Sequence, residues 1–176
     1  MVLLVVDTQK GITDDRLYNF ESLRTNIKRL IYEARNHHVE IVYVRHDDGP
    51  GTGFSLGDEE FEIFEEFAPK GQERIFDKTV NSAFDDSTGL VKYLAEKKEK
   101  KIMVVGLQTN FCIDATVKSA FERGYKVIIP QGANSTFDND YMNGENTYKY
   151  YNNMMWPKRF AACISVDETI KMLEEK

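Results

Sequence analysis

Residues 102–124 read IMVVGLQTNFCIDATVKSAFERG, an apolar run that passes through a polar corner into a segment with helical periodicity. The run reaches Gly106, and Cys112 opens the helical segment. A strand that turns directly into a helix leaves the first helical residues beside unpaired backbone N–H groups and the positive end of the helix dipole. Such a position lowers the pKa of a thiol, so the sequence predicts a nucleophilic thiolate at Cys112.

Length and composition indicate one globular domain over residues 1–176, because 41% hydrophobic and 30% charged residues are ordinary for such a chain. The net charge of −6 argues against a nucleic-acid partner, which needs clustered basic residues. No apolar stretch approaches the roughly 20 residues that span a bilayer. The apolar residues 2–6 lack a positive flank and run into Asp7, which is not typical of a secretory signal. We therefore expect a cytoplasmic protein with no membrane partner.

The two cysteines, Cys112 and Cys163, are too few for a disulfide framework. The sequence contains no CxxC motif and no Cys/His cluster with zinc spacing, so it predicts no metal site of that kind. A disulfide between the two is not expected in a reducing cytosol. Cys163 lies in the last apolar run and is predicted to be buried and unreactive.

Apolar runs typical of strands alternate with segments of helical periodicity, which predicts an α/β domain with a mostly parallel sheet between two layers of helices. The predicted strands span residues 2–6, 39–44, 74–78, 102–105, 125–129 and 161–166. The predicted helices span residues 20–36, 58–67, 88–97, 112–123, 146–154 and 167–174, and a long loop is predicted between residues 45 and 57.

Three chemically distinct side chains follow the carboxyl ends of predicted strands, where parallel α/β sheets bind their ligands. Asp7 follows the first strand, Lys78 ends the third, and Cys112 lies beyond the fourth. A thiol needs a base to remove its proton, and a cation helps to hold the thiolate. An acid, a lysine and a thiol at one sheet edge therefore suit a cysteine nucleophile.

The same residues lie in three ordered motifs. They are Asp7-Thr8-Gln9 after an apolar strand, Lys78 followed by Asn81-Ser82-Ala83-Phe84, and Gly106-Leu107-Gln108-Thr109-Asn110-Phe111-Cys112 with Ala115-Thr116, Ala120 and Gly124-Tyr125. Over nearly the whole chain, this pattern resembles the isochorismatase-like cysteine hydrolases, which include nicotinamidases and N-carbamoylsarcosine amidohydrolases. The resemblance implies a Rossmann-like fold of helices around a mostly parallel sheet.

The resemblance also implies a catalytic triad of Asp7, Lys78 and Cys112. It implies a cis peptide bond between Leu107 and Gln108, with the backbone N–H groups of Gln108 and Cys112 as the oxyanion hole. The expected reaction is hydrolysis of an amide or carbamoyl C–N bond of a small molecule through a thioester on Cys112. The resemblance implies no cofactor, and it implies that the protein forms a homo-oligomer.

Two departures narrow this expectation. Nicotinamidases carry one Asp and two His as metal ligands after the second strand, in a pattern like DxH. Here that region reads Arg45-His46-Asp47-Asp48, and His37 and His38 precede the strand, so no metal is expected. Isochorismatases proper, which cleave a vinyl ether, typically lack the nucleophilic cysteine, so the presence of Cys112 argues against a vinyl ether substrate.

Three further residues are candidates for the substrate pocket. Gln9 is expected to orient Asp7 or nearby backbone, although a plain capping role fits equally well. His46 is expected to line the pocket from the loop, and Phe84 lines either the pocket or the core. The aromatic group around Trp156 either closes a pocket or forms a subunit contact.

Two other functions compete with this interpretation. Aspartyl-phosphate phosphatases of the haloacid dehalogenase type also place an Asp after the first strand, but they need a second Asp where this chain has Gln9. A protein of the same fold that binds small molecules, or builds an oligomer, without catalysis is the stronger alternative.

Overall fold

The computed structural model describes residues 1–175 and has a mostly parallel sheet at its centre. The strands are β1 (Val2–Val6), β2 (Glu40–His46), β3 (Arg74–Lys78), β4 (Lys101–Leu107), β5 (Lys126–Pro130), β6 (Asn134–Ser135) and β7 (Ala162–Ile164). Their order is β3-β2-β1-β4-β5-β7, β6 pairs with the end of β4, and all of these pairings are parallel. The three-layer α/β fold predicted from the sequence is confirmed.

Strand β1 lies at the middle of the sheet because all five of its side chains are apolar and buried. Leu3 and Val5 face one core, while Val2, Leu4 and Val6 face the other. This alternation places one layer of helices on each face of the sheet.

The helices are α1 (Phe20–Asn36), α2 (Leu90–Glu96), α3 (Asp114–Glu122), α4 (Gly144–Tyr150) and α5 (Val166–Glu174). Buried residues of α1 and α5 fill the first core, and those of α2 and α3 fill the second. Ser165 and Glu168 form a capping box that fixes the start of α5. Within residues 1–175, no helix combines the length and apolar character that crossing a bilayer requires.

The carboxyl ends of β1 to β4 meet at one edge of the sheet. The Asp7 N–H donates to the carbonyl of Val44 at 2.8 Å, and His46 pairs in register with Lys78 across β2 and β3. At the end of β4, Gly106 has φ of +120°, and a Cβ there would lie 2.0 Å from the carbonyl oxygen of Val6. Only glycine therefore lets β4 turn beside β1 at this point.

The predicted helix over residues 58–67 is wrong. It is replaced by two 3-10 turns, Glu59–Phe61 and Glu65–Phe67. Between them the backbone is extended, because the Lys10 N–H donates to the Glu62 carbonyl and the Phe64 N–H to the Thr8 carbonyl, each at 2.8 Å. These bonds hold the segment beside residues 8–10, which follow β1.

Candidate active site

The Lys78 ammonium lies at the centre of the candidate site, at the end of β3. Nζ is 2.7 Å from Asp7 Oδ2, 2.9 Å from His46 Nδ1 and 3.3 Å from Cys112 Sγ. The side chains of Lys78 and Asp7 are 0% and 1% exposed. An ammonium has three protons, so these three contacts use the whole donor capacity of Lys78. The structure thus joins the three residues predicted for the triad around one buried cation.

Asp7 is held in a position where its carboxylate can accept a proton. Its φ of +51° is left-handed, a conformation that Asp tolerates better than most residues. Burial raises the pKa of Asp7, and the neighbouring charge of Lys78 opposes this shift. The second carboxylate oxygen, Oδ1, is buried and has no hydrogen-bond partner among residues 1–175. Asp7 therefore has the raised pKa and the open acceptor of a general base.

Cys112 lies in a π-type helical turn, Thr109–Ile113, that leads into α3. The Gln108 carbonyl closes this turn by accepting from the N–H groups of Phe111 and Ile113, both at 3.1 Å. The peptide bond between Leu107 and Gln108 is cis, as the resemblance implies. Asn81 Oδ1 lies 3.7 Å from the thiol sulfur.

The predicted lowering of the Cys112 thiol pKa is wrong. Burial, followed by the charge of Asp7, raises the pKa of Cys112 to about 12, while Lys78 opposes the shift. Desolvation outweighs the helix end because the sulfur lies inside the fold beside a carboxylate. Cys112 therefore rests as a thiol and needs a base to become a nucleophile.

His46 is fixed by contacts on three sides. The Gln9 side chain spans the His46 backbone, donating to its carbonyl at 2.9 Å and accepting from its N–H at 2.7 Å. The ring nitrogen Nε2 is 3.1 Å from Asp48 Oδ1, and Nδ1 faces the Lys78 ammonium. These partners assign the ring proton to Nε2 and make Nδ1 an acceptor. His46 thereby links the loop after β2 to the lysine at the end of β3.

A cavity of about 200 Å³ opens over the thiol. It is lined by Asp7, Ile12, His46, Asp48, Phe54, Asn81, Gln108, Phe111 and Cys112. A larger groove of about 740 Å³ runs beside β7 on another part of the surface, and none of the predicted site residues lines it. We place the site in the smaller cavity because it contains the thiol and the carboxylate.

The structure separates the three predicted pocket residues. His46 lines the cavity, whereas Gln9 is buried beneath it and orients the His46 backbone. Phe84 does not line the cavity, which corrects its prediction as a pocket residue. It is buried in the core against Tyr125, with ring centroids 4.9 Å apart. Trp156 is also buried away from the cavity, and its Nε1 donates to Asp114 at 2.9 Å.

Five residues line the cavity without having been predicted individually from the sequence: Ile12, Asp48, Phe54, Asn81 and Phe111. Asn81 could have been predicted from the sequence, because it begins the Asn-Ser-Ala-Phe segment after Lys78. That segment is tied to α3 by the Ala83 N–H, which donates to Thr116 Oγ1 at 3.0 Å. Asp48 and Phe54 lie on the long loop after β2, where no periodicity predicts side-chain direction.

Asp7, His46 and Cys112 each offer one ligand atom of a kind that binds metals, and these atoms lie within 4.8 Å of one another. The Lys78 ammonium contacts all three residues. A divalent ion at their common centre would have to displace that ammonium and would meet its positive charge. This donor set therefore suits the lysine cation better than a metal.

Comparison with known proteins identifies the family. The sequence pattern of the isochorismatase domain matches residues 1–168. The chain belongs to the isochorismatase family. A secreted isochorismatase effector, Isc1, from Verticillium dahliae is 33% identical over 75% of this chain and 70% of that protein. Streptothricin hydrolase from Streptomyces noursei is 28% identical over 77% of this chain, which spans half of that protein.

The fold agrees with this membership. A solved isochorismatase family protein superposes with a TM-score of 0.85 at 28% identity, covering 93% of this chain and 97% of that one. A cysteine hydrolase from Pseudomonas syringae pv. phaseolicola shares the fold with a TM-score of 0.91 over 99% of this chain and 92% of that one, at 24% identity. Family membership and hydrolase relatives support a hydrolytic enzyme.

Proposed function

We propose that this protein is a cysteine hydrolase that cleaves an amide or carbamoyl C–N bond of a small molecule through a thioester on Cys112. The observation that carries the proposal is the Lys78 ammonium, which contacts both the Asp7 carboxylate at 2.7 Å and the Cys112 sulfur at 3.3 Å. These contacts support a base and a cation that act on the same thiol. The names of two relatives support the proposal: streptothricin hydrolase names a hydrolase, and a nicotinamidase from Arabidopsis thaliana names one that acts on an amide.

In the first step, Oδ1 of Asp7, which has no hydrogen-bond partner among residues 1–175, accepts the thiol proton as Cys112 Sγ attacks the substrate carbonyl carbon. The raised pKa of Asp7 favours this transfer, and Lys78 stabilises the thiolate as it forms. The carbonyl π electrons move to oxygen, which gives a tetrahedral oxyanion. Backbone N–H groups of Gln108 and Cys112 are the proposed donors to that oxygen.

Collapse of the intermediate breaks the C–N bond. Asp7 returns its proton to the leaving nitrogen, which departs as ammonia or an amine, and Cys112 holds the acyl group as a thioester. Water then attacks the thioester with Asp7 again as base, and the thiol is restored as the acid leaves. Lys78 keeps its charge throughout, because its role is electrostatic.

The proposed reaction needs no metal. The Lys78 ammonium supports this part of the proposal. It contacts the three ligand atoms that a metal ion would share and supplies positive charge beside the sulfur.

The matched pair Cys112→Ser and Cys163→Ser tests the proposal, because both variants remove one of the two thiols of the chain. A panel of small primary amides, ureas and carbamoyl compounds is screened for release of ammonia or amine. We expect Cys163→Ser to retain turnover and Cys112→Ser to lose at least about 1,000-fold, with both proteins folded. Turnover that survives in Cys112→Ser would exclude a cysteine nucleophile.

Binding of a small molecule without turnover is the second candidate function. The high pKa of Cys112 favours it, because at neutral pH the site holds a thiol and not a thiolate. A panel compound that stabilises the protein thermally but is never consumed, by wild type or by Cys163→Ser, would favour this candidate.

A further inference from the structure

We infer that the cavity over Cys112 selects small amides or carbamoyl compounds that carry a protonated amine, and discriminates against those that carry a carboxylate. The inference names the substrate class of the proposed hydrolase and rests on that proposed function for its catalytic part. The charge of the cavity itself can be tested without turnover.

The buried lysine is not available to bind a substrate carboxylate. Its three ammonium protons are directed to Asp7, His46 and Cys112, at 2.7, 2.9 and 3.3 Å. The Lys78 side chain is also 0% exposed, so a ligand in the cavity has no direct access to it. The positive charge of the site is thereby committed to the catalytic groups.

The charge that does face the cavity opening is negative. Asp48 lines the cavity with a side chain that is 53% exposed, and its contact with His46 Nε2 is made through Oδ1. The Asp48 N–H donates to the Phe54 carbonyl at 3.0 Å, which holds the carboxylate and the Phe54 ring on the same loop. A carboxylate is therefore fixed one imidazole ring away from the buried lysine.

Within residues 1–175, neither an arginine nor a lysine lines this cavity. Arg16 donates to the carbonyl of Gly11, the chain neighbour of the lining residue Ile12, but its guanidinium is paired with Asp14 at 2.5 and 2.8 Å. Arg45 ends beside Asp77 at 2.8 Å. A carboxylate entering the cavity would lose water without gaining a cation, which is costly.

The remaining walls suit a small organic cation. Phe54 and Phe111 supply aromatic surface, on which a protonated amine is attracted to the ring face. Asn81 and Gln108 add amide groups that can hydrogen-bond a substrate amide. The volume of about 200 Å³ is below the roughly 300–1,000 Å³ of sites for drug-sized ligands, so the substrate is small.

Charged thiol reagents test the inference at the sulfur itself. The probes are the methanethiosulfonates with a 2-aminoethyl group (cationic), a methyl group (neutral) and a 2-sulfonatoethyl group (anionic). Each transfers its thioalkyl group to a thiolate as a mixed disulfide and releases methanesulfinate. Rates at Cys112 are followed by peptide mass spectrometry and divided by the rates of the same reagents with 2-mercaptoethanol.

We expect the normalised rate at Cys112 to be more than about tenfold higher for the cationic than for the anionic reagent. One unit charge at close range in a half-exposed site produces a rate difference of about this size. Asp48→Asn should lower this ratio about tenfold, because asparagine keeps an oxygen for His46 and removes only the charge. The matched control, Asp47→Asn, removes one charge from the neighbouring loop position, which does not line the cavity, and should change the ratio less than about threefold.

Cys163 provides an internal control in the same protein. The prediction that it is buried is wrong, because its side chain is only partly buried. It lines the larger groove, whose lining includes four basic residues and no acidic residue within residues 1–175. The basic residues are Lys101, Lys126, Lys158 and Arg159. Cys163 should therefore prefer the anionic reagent, which separates the local charge of each site from the overall charge of −6.

Three outcomes would overturn the inference: a ratio at Cys112 near or below one, a ratio that Asp48→Asn leaves unchanged, or no reaction of Cys112 with any reagent. Turnover of glycinamide, propionamide and malonamate at pH 7 then separates the two claims. The expected order of kcat/KM is glycinamide, propionamide, malonamate. If amides are hydrolysed without this order, the inference fails and the hydrolase stands. If neither these amides nor any other member of the amide, urea and carbamoyl panel is hydrolysed while the reagent ratios hold, the hydrolase fails and the charge selection stands.

Discussion

Replacing Lys78 by methionine should destabilise the fold strongly and in a pH-dependent way. The substitution leaves the Asp7 carboxylate, whose side chain is 1% exposed, without the ammonium that lies 2.7 Å away. Breaking a buried ion pair on one side costs about 3–5 kcal/mol of unfolding free energy. Asp7→Asn should cost less, about 1–3 kcal/mol, because asparagine tolerates the left-handed φ of +51° and keeps an oxygen for Lys78.

The pH dependence follows from the pKa of Asp7, which burial raises above its unfolded value of about 4. Without Lys78, the opposing influence on this pKa disappears and the pKa rises further. At pH values between the pKa of Asp7 in the unfolded state and its higher pKa in the folded state, only the folded state holds the Asp7 proton. The free energy of unfolding therefore falls as pH rises, by up to about 1.4 kcal/mol per pH unit. The loss in Lys78→Met should therefore be larger at pH 8 than at pH 5.

Urea unfolding of the wild type, both single variants and the double variant Asp7→Asn/Lys78→Met, at pH 5 and pH 8, measures these quantities. The double variant should be more stable than the sum of the single losses predicts, by about 2–3 kcal/mol, and should lose the extra pH dependence. A loss below about 1 kcal/mol for Lys78→Met at pH 8, or equal losses at both pH values, would refute the argument.

Three further predictions concern the residues around the site. The pKa of about 12 for Cys112 predicts that alkylation by iodoacetamide accelerates about tenfold per pH unit between pH 7 and 9, and a rate that levels off there would contradict it. Gly106→Ala should cost at least about 4 kcal/mol or prevent folding, because its Cβ meets a backbone oxygen at 2.0 Å, whereas Gly124→Ala, with φ of +79° and no neighbour within 4 Å, should cost about 1 kcal/mol. Equal urea midpoints for these two variants would disprove the steric argument. Gln9→Leu should cost about 2–4 kcal/mol, because the buried side chain of Gln9 makes two hydrogen bonds to the His46 backbone, and urea unfolding close to that of the wild type would contradict this.

Apolar runs and strand ends made much of the fold predictable from the sequence. Val2–Val6 is apolar throughout, which favours a strand covered on both faces, and it is the central strand. Because parallel strands share one carboxyl edge, the positions of Asp7, Lys78 and Cys112 in the chain already implied that they meet. The segment at residues 58–67 was not predictable, because its extended part is fixed by bonds to Lys10 and Thr8, which are distant in sequence.

The electrostatics of the site depend on three-dimensional neighbours that the sequence does not show. The helix end near Cys112 predicted a low pKa, but burial and the charge of Asp7 raise it. The contact between His46 and Lys78 depends on the register of β2 against β3, which local periodicity does not determine. Phe84 was ambiguous because an aromatic residue beside a pocket motif fits either a pocket or a core, and its contact with Tyr125 decides for the core.

The most direct test of the proposed reaction is detection of the acyl-enzyme. Wild-type protein is mixed with each member of the amide and carbamoyl panel, quenched in acid within a turnover and examined by intact and peptide mass spectrometry. The proposal predicts a mass increase equal to the acyl group, located on Cys112, in the wild type and in Cys163→Ser but not in Cys112→Ser. Hydrolysis of a panel compound with no adduct at Cys112 under any quench time, or an adduct on another residue, would contradict it.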